Sequence, residues 1–183
     1  WQINPANPED FQRLFQEDLS KVAPQLTGII HLWSLEATVS DALTSSTLDQ
    51  AQCFGCQSVL YLIQTLSQQS LSPQLWLVTR GTQAVEAQID SLAVASASLW
   101  GLGKVIALEH PESWGGMIDL AANQEADEAS LLLSEITHSD GEDHIAFRQG
   151  QRYVCRLTKV KKESSNSQLP ITNSQLPITI NKV

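Results

Sequence analysis

Several groupings in this 183-residue chain have the residue types and spacing that chemistry requires. Cys53-Phe54-Gly55-Cys56 has the thiol spacing of a redox or zinc-binding turn. Gly101-Leu102-Gly103 is part of a phosphate-cradling pattern. Glu109-His110, with Asp119 a few residues on, offers an acid/base pair, and His31 stands beside Trp33. A reactive Cys-x-x-Cys needs an exposed thiol at a helix start just after a strand, and a zinc site needs a second ligand pair. Here Cys53 and Cys56 fall in a helical pattern with Leu60 and Ile63, so they read as buried structural cysteines. A dinucleotide loop needs a third glycine, with the motif between a strand and a helix so that its amides face the pyrophosphate. Ile106 occupies that third position, and the glycines lie inside a helical pattern. Glu109-His110 precedes Pro111, where a helix C-terminus and its dipole explain a histidine without catalysis. Trp33, Trp76 and Trp100 lie in apolar periodic segments and read as core packing.

The elements that must position these residues follow from periodicity. Asn7 as N-cap, Pro8 at the first helical position and the acids Glu9 and Asp10 start a helix whose apolar stripe is Phe11, Leu14, Phe15 and Leu19. Trp1 to Pro5 reads as the frayed end of a strand. Gly28 to Trp33, Leu75 to Thr79 and Gly115 to Leu120 are short apolar runs suited to buried parallel strands. Helices are expected from Leu48 to Ser67, Leu92 to Glu109 and Ala126 to Ile136. The strands His144 to Arg148 and Arg152 to Leu157 flank Gln149-Gly150 as in a tight hairpin. Alternation of strand and helix predicts an α/β fold with a mainly parallel sheet flanked by helices and a terminal β-hairpin. In the helix from Leu92, Ala93, Ala97 and Gly101 line up at i, i+4. With Trp100 and Gly103 they form a candidate packing seam.

The run Leu75 to Leu120 is the slot in which a short-chain dehydrogenase keeps its catalytic Ser, Tyr and Lys. No Tyr-x-x-x-Lys exists here: Thr65 follows Tyr61 by four residues, and Leu157 follows Tyr153 by four. A scaffold of that shape without the proton donor points to a structural role.

Composition sets outer bounds. An apolar fraction of 42% suits a globular domain. Residues 1–150 carry 19 acids against five basic side chains, and residues 151–183 carry six basic residues against Glu163, giving the net charge of −9. An acidic body excludes nucleic acid as the expected partner, since phosphate binding needs a clustered basic face. No apolar run is long enough to span a bilayer, so no membrane partner is expected. Three cysteines, an odd number, suit a reducing cytoplasm. The chain opens at Trp1 without an initiator Met and reads as a piece of something longer. Asn166 to Thr172 repeats letter for letter as Asn173 to Thr179, so residues 159–183 are expected to be a flexible low-complexity linker or tail, and residues 1–158 the folded domain.

The ordered series Gly28 to Ser34, Leu75 to Gly81, Leu99 to Pro111, Trp114-Gly115-Gly116, Ile118-Asp119-Leu120, Glu142 to Arg148 and Arg152 to Leu157 resembles the structural subdomain of the ketoreductase of modular type I polyketide synthases. The resemblance covers about residues 1–158. It implies a truncated Rossmann-like fold, related to short-chain dehydrogenases and binding no cofactor, that packs against and stabilises a catalytic ketoreductase half. That half binds NADPH and reduces the β-keto group of an acyl chain carried on an acyl carrier protein. Val78-Thr79-Arg80 stands where the catalytic half has its serine, and Leu92 to Ala97 where it has Tyr and Lys. The family's first strand-helix-strand unit is missing ahead of Trp1. Two other readings stay open on the residues alone: a divergent reductase using Glu109, His110 or His31, and an interaction module that homodimerises through the small-residue helix.

Overall fold

The computed structural model describes residues 1–19, 25–36, 43–85, 92–138 and 140–157, and the backbone of 178–182. Helix α1 (Pro8–Arg13) starts where the sequence places it: Asn7 accepts a hydrogen bond from the Glu9 amide, and Pro8 needs no partner for its nitrogen. It runs on into a π turn, Leu14–Asp18. Residues 1–5 form no strand. Strand β1 (Gly28–His31) ends before Trp33, which belongs to a 3-10 turn, Trp33–Glu36.

The next helix runs from α2 (Ser45–Gln52) through a π turn, Cys53–Gln57, into α3 (Ser58–Gln68). It starts three residues ahead of the expected Leu48 because Thr44 and Thr47 form a reciprocal capping box. The π turn inserts a residue into the helical phase. The buried apolar face is therefore Gly55, Val59, Leu62, Ile63 and Leu66; of the expected stripe Ile63 is buried, while Leu60 is exposed and Cys53 and Cys56 are only half-buried.

Strand β2 (Gln74–Arg80) follows, then α4 (Ser98–Glu109), β3 (Trp114–Leu120), α5 (Glu128–Thr137), β4 (His144–Arg148) and β5 (Gln151–Leu157). Helix α4 starts at Ser98, not Leu92. A separate 3-10 turn, Val94–Ser96, precedes it, and Ala93 has non-helical angles (φ −77°, ψ 67°), so Ala93 does not share a helical stripe with Ala97 and Gly101. The β4–β5 turn has positive φ at both Gln149 (51°) and Gly150 (68°), the geometry that matches strand twist in a two-residue hairpin. Of the expected tail, only 178–182 is described. It forms β6 (Ile178–Lys182), antiparallel to β5, with Ile178 opposite Leu157 and Lys182 opposite Tyr153. The rest of the tail lies outside the described residues.

The sheet order is β1-β2-β3-β4-β5-β6, parallel from β1 to β4 and antiparallel beyond. Strand alternation sends Leu75, Leu77 and Met117 to one face, where α1, α3 and α4 deliver Phe11, Phe15, Val59, Leu66, Leu99 and Ile106. Trp76, Val78, Ile118 and Leu120 face the other way, with Ile145, Phe147 and Val154, under Leu131, Leu132 and Ile136 of α5. This is a mainly parallel, Rossmann-like sheet with helices on both faces.

Candidate functional site at the carboxyl end of the sheet

In an open α/β sheet, ligands bind beyond the carboxyl ends of the parallel strands. In this chain that end is filled by its own side chains. Asp119, near the end of β3, is fully buried. Its Oδ1 accepts from the hydroxyls of Thr79 (2.6 Å) and Thr82 (2.7 Å) and from the Thr82 amide (3.0 Å). Its Oδ2 accepts from the Gln83 amide (3.1 Å) and from Arg148 Nη2 (2.5 Å). Arg148 also donates to the carbonyls of Asp119 (3.0 Å) and Gln83 (2.9 Å). A buried carboxylate survives only when its lone pairs and charge are met in this way.

A second layer closes over the first. Arg80 forms a bidentate pair with Glu128 (2.7 and 2.8 Å) and donates to the Ala121 carbonyl (2.8 Å). The pair holds the Glu128 carboxyl below its usual range and the Arg80 guanidinium above its own, the mutual hydrogen bond being the main cause of each. Glu125 accepts from the amides of Gln149 (2.8 Å) and Gly150 (3.2 Å), tying the hairpin tip to the loop after β3. Arg80, Arg148, Asp119, Glu125 and Glu128 are thus all engaged within the chain.

The seam residues fall into different settings. Trp100 is buried, and its indole N–H donates to Thr79 Oγ1 at 3.0 Å, joining α4 to the Asp119 cluster. The Ala93 amide donates to the Gly81 carbonyl at 2.8 Å, and Ala97 is half-buried ahead of α4. Gly103 packs inward: a Cβ there would lie 2.4 Å from Met117 Sδ and 3.0 Å from the Trp114 ring. Gly101 is exposed, with open space where its Cβ would point. The glycine pair sits well inside α4, where its amides serve the helix and not a pyrophosphate. On the same helix as Gly101, Val105 and Leu108 are exposed, Leu108 to 83%, and Val94 in the turn ahead of α4 is exposed too. A groove of about 520 Å³ separates α4 from α3; Leu60, Ile63, Leu102, Val105 and Ile106 supply its apolar lining, and glutamines of α3 with Glu109 and His110 its polar part.

The other chemical candidates do not converge. Glu109 and His110 close α4 at the amino end of β3, about 16 Å of strand away from Asp119. His31 is buried, with Nε2 2.9 Å from Ser58 Oγ, and lies edge-on to Trp33. The three cysteines are unpaired thiols. Among the described residues, no cluster of His, Cys, Asp or Glu could hold a metal ion, and no helix is long and apolar enough to cross a membrane. The Asp119 cluster escaped sequence reading because its partners lie 29 to 40 residues away. Its signal was a polar residue closing each buried strand: Thr79-Arg80, Asp119 and Arg148.

Fold and site together define a Rossmann-like domain of the ketoreductase region of modular polyketide synthases. Residues 2–157 match the family model described as the Rossmann fold domain of the polyketide synthase extender module SpnB, and the chain belongs to that family. It is 35% identical over 118 residues to the pikromycin polyketide synthase component PikAII of Streptomyces venezuelae, covering 63% of this chain and 3% of the relative. It is similar to a C2-type ketoreductase from a modular polyketide synthase (TM-score 0.67, 26% identity), over 83% of this chain and 32% of that one. The first ketoreductase of the tylosin polyketide synthase is matched with a TM-score of 0.63 and 28% identity, over 84% of this chain and 30% of that one. The chain therefore spans about a third of these ketoreductases and a few percent of the synthase.

Proposed function

We propose that this domain is a non-catalytic structural subdomain that packs against and stabilises the NADPH-binding catalytic half of a polyketide synthase ketoreductase. In this reading it binds no cofactor itself and meets the acyl carrier protein and the other synthase domains only through that half. The observation that carries the proposal is the Asp119 cluster: the end of the sheet where a dehydrogenase holds nucleotide and substrate is occupied by hydrogen bonds within the chain. The exposed apolar face of α4 and its groove with α3 supply a docking surface. The matched ketoreductases extend far beyond the matched third, which supports a partner region for such a face in the same chain.

The test is addition of this chain to a separately expressed catalytic half. A rise in that half's melting temperature and co-elution on a sizing column are expected. Absence of both defeats the reading. Titration with NADPH should leave the fluorescence of the chain alone unchanged, because Trp100 lies beside the filled end of the sheet. Saturable quenching would instead favour a reductase in its own right.

A further inference from the structure

Ser58 opens α3 directly after the π turn and is fully buried. Its hydroxyl proton is directed at two carbonyls inside that turn, Phe54 O (2.7 Å) and Gly55 O (3.0 Å), which can only accept. The 2.9 Å contact from His31 Nε2 must then have the histidine as donor. A neutral imidazole carries one N–H, so His31 Nδ1 is a bare lone pair, and among the described residues no side chain or amide donates to it. The ring lies at the end of the edge strand β1 and lines a cavity with Ile3, Phe11, Phe15, Trp33 and Leu62. With Ser58, and with Leu77 beside His31 in β2, these neighbours from the N-terminal segment, α1 and its π turn, β2 and α3 carry no charge.

We propose that His31 and Ser58 form a pin that holds the α2–α3 helix in its π-turned phase by tying the turn's own carbonyls to the end of β1. The phase decides which face of the helix meets the core. Without the extra residue, α3 would rotate by about 100° and withdraw Val59, Leu62 and Leu66 together. The same turn carries Cys56, whose thiol reaches Ser98 Oγ, and Gln52 beside it accepts from Ser98 Oγ at 2.9 Å. The pin therefore also sets how α2–α3 meets the start of α4. Only the consequence for docking rests on the proposed function; the pin is tested on this chain alone.

Burial pushes the His31 imidazole down to about 4, consistent with a neutral ring. A proton on Nδ1 would put a charge among uncharged neighbours, and burial outweighs what the residue's own backbone offers it, so acid should disable the pin. Hydrogen exchange of the amides of residues 54–59 reads the outcome. Ser58→Ala and His31→Phe should each raise local exchange at neutral pH at least tenfold, with Ser58→Thr restoring protection. The original chain should lose protection at these amides as pH falls from 6.5 towards 4, and His31→Phe should show no such local step. Unchanged exchange in both variants overturns the proposal. Should His31→Phe fail to fold, nitrogen NMR of the unsubstituted chain decides: a ring protonated on Nδ1, or one titrating near 6.5, equally overturns it.

Discussion

Asp119 makes five hydrogen bonds through its carboxylate while having no exposure to water. Removing one partner of such a group strands the others: Asp119→Ala leaves the Arg148 guanidinium and two amides unmet. The expected loss is about 3–5 kcal/mol, read as a lower urea midpoint. Replacing Arg148 together with Asp119 should cost less than the two single changes summed, and strict additivity would show that the two do not act as a unit. His31 carries a second residue-scale prediction. Its folded pKa, about 4, lies below the unfolded value near 6.5, so the folded state prefers the neutral ring. Its contribution is fully present above pH 6.5 and is lost as pH falls from 6.5 towards 4, by at most about 3 kcal/mol. The Glu128 carboxyl, held low by Arg80, adds a loss only at the lower pH where carboxylates protonate. Stability should thus fall more steeply between pH 6.5 and 4 in the original chain than in His31→Phe, and identical pH slopes would contradict this.

Elements were legible in the sequence where one local device fixes them. The Asn7-Pro8 helix start and the Gln149-Gly150 turn are local, and both stand where the sequence puts them. The phase of the α2–α3 helix was only partly legible: an α-periodic reading picks Cys53, Cys56, Leu60 and Ile63, of which Ile63 is buried, while the π turn leaves Leu60 exposed and brings Val59, Leu62 and Leu66 inward. Nor was the late start of α4, since Ala93 keeps a helical composition while its amide is drawn to the Gly81 carbonyl. Within α4 the two glycines give opposite predictions. A methyl at Gly103 meets Met117 and Trp114, so Gly103→Ala should cost about 1–3 kcal/mol through overpacking. A methyl at Gly101 meets nothing within 4 Å, so Gly101→Ala should gain up to about 1 kcal/mol from helix propensity. Thermal melts of the two variants should therefore move in opposite directions.

In the whole molecule, the carboxyl end is locked by its own charges, while exposed apolar side chains offer contact surface, and α4 carries one such group. There Leu108 is 83% exposed, and Val105, which lines the groove between α3 and α4, is 44% exposed. An apolar side chain so open contributes little to the fold that holds it, so Leu108→Asp should leave the chain's own stability within about 0.5 kcal/mol of the original. In a complex with the catalytic half, the same change would bury an unpaired carboxylate at the centre of the contact. Affinity should fall at least tenfold in titration calorimetry, and the thermal protection given to the catalytic half should fall with it. Lys104→Ala, on the same helix and also exposed, is the control for a generic surface change and should leave both readouts unaltered. If Leu108→Asp binds and protects as the original chain does, the catalytic half docks elsewhere. If it also unfolds the isolated chain, the side chain belongs to the core and not to a contact face. Sedimentation of the original chain at rising concentration separates a partner of a different kind from a second copy. A strict monomer that still stabilises the catalytic half is the result expected of a subdomain whose apolar helical layer is completed by another part of the same synthase.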